Sequence, residues 1–347
     1  MNQKALARTQ NLVVMVLNDS QSTIRQSEFM GIVTDLLAMR SGPVAESSPR
    51  DRRAAVAELF RTALAESESS IPPSGATINN RLINNTSICP TRALTVAETP
   101  FAWKPAFANR RITSAAINYL VASGGNVADS IDAAIAEIIN LGDSLGRYLN
   151  SINSGSDPTG RARLATYRAS AMTGVNRLLD IVPLDRLVAQ FDVKANPTVV
   201  KLPVPVSTGS GRVSTFTLEG RLDLQISARG SSDSTVFVTV STGEPGFQVD
   251  ALASLLQHVK NPKGLILIDP SSGRSDGHSF SRSNVTSWVT ACIDAVTVQS
   301  RLNASDDGLQ ELFQKNATPS SSCKYCENVK FCQPGQLELE VLSEHEV

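Results

Sequence analysis

Three cysteines close the chain in Cys323-Lys-Tyr-Cys326-Glu-Asn-Val-Lys-Phe-Cys332, a C-x2-C-x5-C run. Two thiolates separated by two residues can approach one metal from a single turn, and the third follows within reach. A tetrahedral site needs a fourth ligand. Cys89 stands far upstream in Ser87-Ile-Cys89-Pro-Thr-Arg92. The fifth cysteine, Cys292, lies in the apolar stretch Val289 to Val296 and reads as a small core residue. Imidazole ligands are limited to His258, His278 and His345, and none is near the cysteine run. An all-cysteine site is the economical assignment, and four thiolates suit iron–sulfur or zinc. The spacing alone also allows unrelated reduced cysteines.

The rest of the composition sets limits. With 347 residues the chain can bury a large core, and 41% hydrophobic with 19% charged residues is ordinary for a globular protein. The net charge of −1 gives no global basic field to drive nonspecific nucleic-acid binding. Lys4 and Arg8 precede only the short apolar run Leu12 to Leu17, which is no secretory signal, and no stretch approaches membrane-spanning length. A cytoplasmic protein with no membrane partner is the expectation. In that reducing setting, clustered cysteines point to metal rather than disulfides.

The elements that must position these residues follow from periodicity. Residues 1–70 read as a helical N-terminal extension, with helices over Ser27 to Met39 and Arg50 to Glu66, and Ser67 to Gly75 has linker composition. Ile112 to Ala122, Val127 to Leu149 and Arg161 to Val182 predict helices, a helical segment over 110–190. The pattern then turns to short β-branched runs. Thr198 to Val206, Val213 to Leu218, Arg221 to Ala228 and Thr235 to Ser241 predict a meander, and Gly264 to Ile268 a buried strand, giving a sheet core over 197–270. Gln248 to Val259, Asn284 to Leu302 and Asp306 to Phe313 predict helices, and 336–347 reads as a loose acidic tail. The sum is an α/β fold with one sheet covered by helices.

A lone early Cys-Pro-x-Arg with a terminal C-x2-C-x5-C resembles the arrangement of iron–sulfur RecB-like nucleases. That group includes the CRISPR-associated RecB-like exonucleases and the AddB-type nuclease domains of the PD-(D/E)XK superfamily. The middle of the chain is similar to the same family. Gly220-Arg-Leu-Asp223 matches its Gly-x-x-Asp turn, Val238 to Pro245 aligns with its Asp-x-Lys-Thr-Gly strand, and Gln248 opens the following helix. The resemblance covers about Ala76 to Gly335, and implies an α/β core with a central mixed sheet flanked by helices. A nuclease-like domain over 76–335 would then run from the helical segment through the sheet core to C-terminal helices and the cysteine motif at 281–335. It further implies that Cys89, Cys323, Cys326 and Cys332 hold a [4Fe–4S] cluster, zinc being the alternative, which staples the two ends of that domain.

The catalytic pattern is degenerate. Family chemistry needs two carboxylates on a divalent metal and a lysine near the attacking water. Asp223 matches the first carboxylate, but Thr239 stands at the second and Ser241 at the lysine. A neutral hydroxyl is a poor Mg²⁺ ligand, and serine carries no positive charge. Asn118 stands where a histidine is usual, and Leu252 where a tyrosine is usual. Only Asp223 and Gln248 are left, so neither Mg²⁺ nor Mn²⁺ is expected. Asp223 can equally be read as a strand-ending turn residue; Glu219, Glu244, Asp250 and Lys260 are near enough in sequence to substitute for the lost groups, or are solvated charges.

The expected role is non-catalytic: a structural, DNA-binding or partner-binding subunit of a defence, recombination or repair complex. The alternatives are a Mg²⁺- or Mn²⁺-dependent exonuclease with relocated ligands and a redox-sensing iron–sulfur regulator. Candidate phosphate contacts flanking the motifs are Arg92, Lys104, Arg110, Arg111, Arg221 and Arg229. Phe101, Trp103 and Phe107 form the one notable aromatic cluster, read as core. The extension before Ser67 is expected to dock on the core or on a partner protein.

Overall fold

The computed structural model describes residues 3–40, 42–66, 75–94, 105–154, 158–195, 199–207, 211, 213–230, 234–240, 246–326 and 328–345. The expected linker Ser67 to Gly75 apart from Gly75, the residues Phe101, Trp103 and Lys104, and the positions Ser241 and Glu244 lie outside them, as does the side chain of Phe107.

Three helices open the chain: α1 (Gln3–Ala38), α2 (Pro43–Glu46) and α3 (Pro49–Glu66). The short strand β1 (Thr77–Asn79) leads into α4 (Asn80–Ile88), whose first turn is capped by Asn79 accepting from Leu82 N–H at 2.9 Å. A helical segment follows: α5 (Pro105–Ser123), α6 (Val127–Leu141), α7 (Ser144–Ser154), α8 (Pro158–Leu179) and α9 (Leu184–Gln190). The single helix expected over 127–149 is therefore two. Gly142 takes the left-handed conformation at φ 63° and terminates α6, a backbone geometry that favours glycine.

The strands are β2 (Phe191–Ala195), β3 (Val199–Ser207), β4 (Val213–Arg221), β5 (Leu224–Ala228), β6 (Thr235–Val240), β7 (Pro262–Asp269) and β8 (Arg274–Ser279), with α10 (Gln248–Leu256) between β6 and β7. They form two mixed sheets rather than the one expected. One has the order β1-β4-β3 and the other β2-β5-β6-β7-β8. β1 runs parallel to β4, and β6 parallel to β7 across the α10 connection; the remaining pairs are antiparallel. The predicted meander is real in sequence but changes sheet between β4 and β5, at Leu222 and Asp223. Helix α10 packs against strands of both sheets at this crossing. It lies so close to β4 that a Cβ on Gly220 would stand 2.4 Å from the Ala253 Cβ, a separation only glycine permits.

Alternation along the central strands divides their side chains between two cores. Phe237 and Leu265 face α10, α11 (Arg282–Asn303) and α3, where Phe60 stacks on Phe216 at 5.5 Å between centroids. Their neighbours Val236, Val238, Ile266 and Ile268, with Leu224 and Ile226, face α1, α5 and α9. A third core is built within α5 to α8. The chain ends in α12 (Leu309–Asn316) and α13 (Gln333–His345). The expected loose tail is thus helical as far as His345. No described helix is long and apolar enough to cross a membrane.

The N-terminal extension is part of these cores. Phe29, Met30, Val33 and Leu36 of α1 are buried on the five-stranded sheet, and Val56 and Phe60 of α3 on the other side. Arg52 is fully buried and donates to five carbonyls, those of Ala45 (3.2 Å), Ser47 (2.7 Å), Gln257 (3.2 Å), Val259 (2.6 Å) and Lys260 (3.4 Å). A cation at the C-terminal end of α10 also complements the helix dipole. Arg52→Met leaves these carbonyls unpaired, and we expect it to cost about 3 kcal/mol in urea unfolding. An unchanged midpoint would mean that the extension is not anchored here.

Candidate functional site

Cys89 caps the C-terminus of α4, its N–H reaching Asn85 O at 2.9 Å, and Pro90 then turns the chain into the 3-10 turn Pro90–Ala93. Cys323 sits in a second 3-10 turn, Ser321–Tyr325, and Cys326 follows it directly. Cys332 ends a third, Val329–Phe331, just before α13. These segments close on one another, and all four cysteines line a single small cavity. Cys292, by contrast, is buried in the core among α11 side chains, where burial pushes its thiol pKa up.

The chemistry of the cavity wall is uniform. Among the described lining residues the possible metal donors are the four thiols, with no histidine or carboxylate. Three sulfurs face backbone N–H groups: Cys89 Sγ meets Thr318 N at 3.2 Å, Cys323 Sγ meets Ser320 N at 3.4 Å, and Cys332 Sγ meets Gly335 N at 3.4 Å. A neutral thiol is a weak acceptor, so amides aimed at sulfur suit thiolate better. Thr91 Oγ1 adds a contact to Cys89 Sγ at 3.1 Å. A Cβ on Gly335 would lie 3.3 Å from Cys332 Sγ and 3.4 Å from Cys323 Sγ, so a side chain there would press on both sulfurs. Burial first, then the other thiols, raise the pKa of Cys332; burial likewise raises that of Cys326, against the opposing pull of the Asn328 main-chain N–H and Arg92. Thiols enclosed together resist ionising until a cation joins them. Among the described residues no three His, Cys, Asp or Glu are grouped to hold a single ion, and the four thiols line one cavity.

Sequence reasoning missed a second tie at this place. Asn328 is buried, and its amide donates to Thr91 O at 3.0 Å and Leu94 O at 3.1 Å. It joins the same two chain segments that the cysteines bring together.

The residues aligned with the catalytic pattern lie elsewhere, where the chain changes sheet. Asp223 is 2% exposed and accepts from Val240 N at 2.8 Å, Ser114 Oγ at 3.1 Å and Arg221 Nε at 3.1 Å. Thr239 points to the same face and donates to Asp250 Oδ2 at 3.2 Å. Asp250 also takes Arg221 N–H at 2.5 Å on Oδ1, and the Asn80 side chain bonds to it. The expectation that Asp250 is a solvated charge is therefore wrong: it is 3% exposed. Burial raises its pKa to about 7, with Asp223 adding to the rise and the Arg221 amide and Arg110 opposing it. Ser114 identifies α5 as the helix over the motif, while Asn118 lies one turn on, half-buried. Gln248 does open α10, and its Oε1 is buried without a hydrogen-bond partner among the described residues. Leu252 is core.

The other candidate residues are dispersed. Glu219 pairs with the exposed Lys201 at 2.6 Å, and Lys260 contributes its carbonyl to Arg52. Arg92 lines the cysteine cavity, Arg111 pairs with Asp143, and Arg229 donates to Val188 O at 2.8 Å. Arg110 donates to Val240 O at 3.0 Å, and Arg221 pairs with Asp223. Arg110 and Arg221 thus lie at the sheet crossing, and Arg92, Arg111 and Arg229 at other places.

No protein-family model matches the chain, and no curated protein matches it.

The carboxylate pair gives a pH prediction. Because the folded pKa of Asp250 lies above its unfolded value, the folded state holds the extra proton between the two. Stability should fall as pH rises from about 4 towards about 7 and then level off, so far as this group controls it. Asp250→Asn should flatten that part of the unfolding free energy plotted against pH. An identical slope in both proteins would assign the dependence to other groups.

Proposed function

We propose that Cys89, Cys323, Cys326 and Cys332 hold a [4Fe–4S] cluster in a non-hydrolytic PD-(D/E)XK nuclease-like protein. Its role would be that of a structural, DNA-binding or partner-binding subunit in a nucleic-acid-processing complex. The observation that carries this reading is the cavity lined by four thiols from distant parts of the chain. Four enclosed thiols suit an iron–sulfur core or a zinc ion, and the resemblance to iron–sulfur RecB-like nucleases favours the cluster. Backbone N–H groups on three sulfurs stabilise thiolate charge, and Gly335 leaves the cradle open. When bound, the cluster would supply the cationic charge that the enclosed thiols need and would cross-link the two segments.

The non-hydrolytic half of the reading rests on charge. Asp223 is paired with Arg221, and the charge of Arg110 bears on Asp250. A divalent ion added to two carboxylates already balanced by two guanidinium groups would bury excess positive charge, which is costly. Thr239 reinforces this arrangement by donating a hydrogen bond to Asp250 where a second metal ligand would be required.

Anaerobic purification with iron, sulfide and zinc analysis tests the cluster. We expect about four irons per chain and broad absorbance near ~400 nm. Cys89→Ser should lose iron as fully as Cys323→Ser, while Cys292→Ser keeps it. Stoichiometric zinc without colour would replace the cluster by a zinc site. Labelled single-stranded and duplex DNA should survive incubation with the protein and Mn²⁺; cleavage abolished by Asp223→Asn would overturn the non-hydrolytic reading.

A further inference from the structure

Arg221 touches the centre of the molecule from several sides. Its main-chain N–H binds Asp250 on α10 at 2.5 Å, and its Nε binds Asp223, just before β5, at 3.1 Å. Its Nη2 donates to Ser114 Oγ on α5. The side chain is 19% exposed, so these contacts are mostly shielded from water. One residue thereby joins the end of β4 to both carboxylates and to the first helix of the segment α5 to α8. That segment has its own core, and α5 also contributes Ile117 to the core beneath the five-stranded sheet. The polar tie between α5 and the sheet crossing runs through Ser114, Asp223 and Arg221, with Arg110 one turn away on the same helix.

We infer that Arg221 is the internal cation of this centre, its guanidinium taking on Asp223 the place of a divalent ion while its main-chain N–H holds Asp250, and that it locks α5 onto the sheet crossing without metal. A guanidinium suits this task because its planar, multiply donating head can hold a carboxylate and a hydroxyl together. A lysine offers the charge as a single point on a flexible stem. The inference rests on the non-hydrolytic reading of the carboxylate pair and is independent of the cysteine site.

The test compares wild type, Arg221→Met, Arg221→Lys and the double variant Arg221→Met with Asp250→Asn. Hydrogen exchange is followed over residues 105–123, and thermal melting is measured in EDTA and in millimolar Mn²⁺. We expect wild type to melt identically in both buffers. Arg221→Met should exchange at least about tenfold faster in α5. Mn²⁺ should slow that exchange and raise the melting temperature, but not in the double variant. Arg221→Lys should fall between wild type and Arg221→Met. Wild type stabilised by Mn²⁺ through Asp223, an α5 that exchanges as before, or a loosened α5 that Mn²⁺ does not retighten would each overturn the proposal. If Arg221→Met does not fold, α5 exchange in Arg221→Lys and the wild-type Mn²⁺ comparison decide it. Mn²⁺-dependent DNA cleavage by wild type would instead remove the non-hydrolytic reading on which it rests.

Discussion

Asp223 and Asp250 are buried side by side where the chain leaves one sheet for the other, and charges taken out of water at that depth cost several kcal/mol unless they are met by donors. The donors come from every element that converges there: Val240 N–H from β6, Thr239 from the same strand, Ser114 from α5, and Arg221 from the end of β4. Moving any of these elements away would strand a buried carboxylate. The crossing therefore fixes the relative placement of the two sheets, the α10 connection and the inserted helices. Gly220 belongs to the same constraint, since α10 can bring Asp250 to Arg221 N–H only by lying against a residue without a side chain.

The cysteine cavity acts on a different part of the problem. It lies away from the sheets, where α4 runs into its closing turn and meets the last segment of the chain. Asn328 bonds to Thr91 across 237 positions of sequence, so this meeting closes a very long loop. The entropy lost in closing such a loop is large but grows slowly with length, so a few well-made contacts can offset it. Two kinds of contact share that task here, the paired amide of Asn328 and the ring of thiols. The first is satisfied by the chain alone; the second leaves enclosed thiols whose ionisation burial opposes.

Much of this was legible in the sequence, and the failures have physical causes. The strands over 199–207, 213–221 and 235–240 and the buried strand of β7 carry enough β-branched residues to be read directly. β8, Arg274-Ser-Asp-Gly-His-Ser, has no apolar alternation; it is a strand because it pairs with β7 at the sheet edge. β1 is three residues long and exists through its parallel pairing with β4. The change of sheet left no mark in periodicity, because strand alternation continues on both sides of it. Gly220 and Asp223 marked the place but not its meaning. Asp250 was misread for a related reason. Val249 to Leu256 of α10 are all buried, so a lone acid on that helix has no solvent to face. The four cysteines were the most readable feature, while Asn328 and Gly335 beside them are residue types too common in turns to signal a site.

The same geometry changes what Asp223 means. A carboxylate at the head of a strand, followed by Thr239 where an acid would complete a metal site, reads in sequence as the remnant of hydrolytic chemistry or as an ordinary turn residue. In the fold it is neither an exposed turn nor an open ligand. All three of its donors come from the protein, one of them from the strand that carries Thr239. Thr239 in turn serves Asp250, whose burial raises its pKa to about 7, so that it is only partly ionised near neutral pH. The residues that would make a hydrolytic site poor are the ones that make this junction sound: a hydroxyl that donates where a carboxylate would repel, and arginines that supply positive charge from within the chain. Hydrolysis needs an exchangeable cation and an ordered water, whereas a structural junction needs a cation that never leaves, and a guanidinium tethered to β4 meets the second requirement.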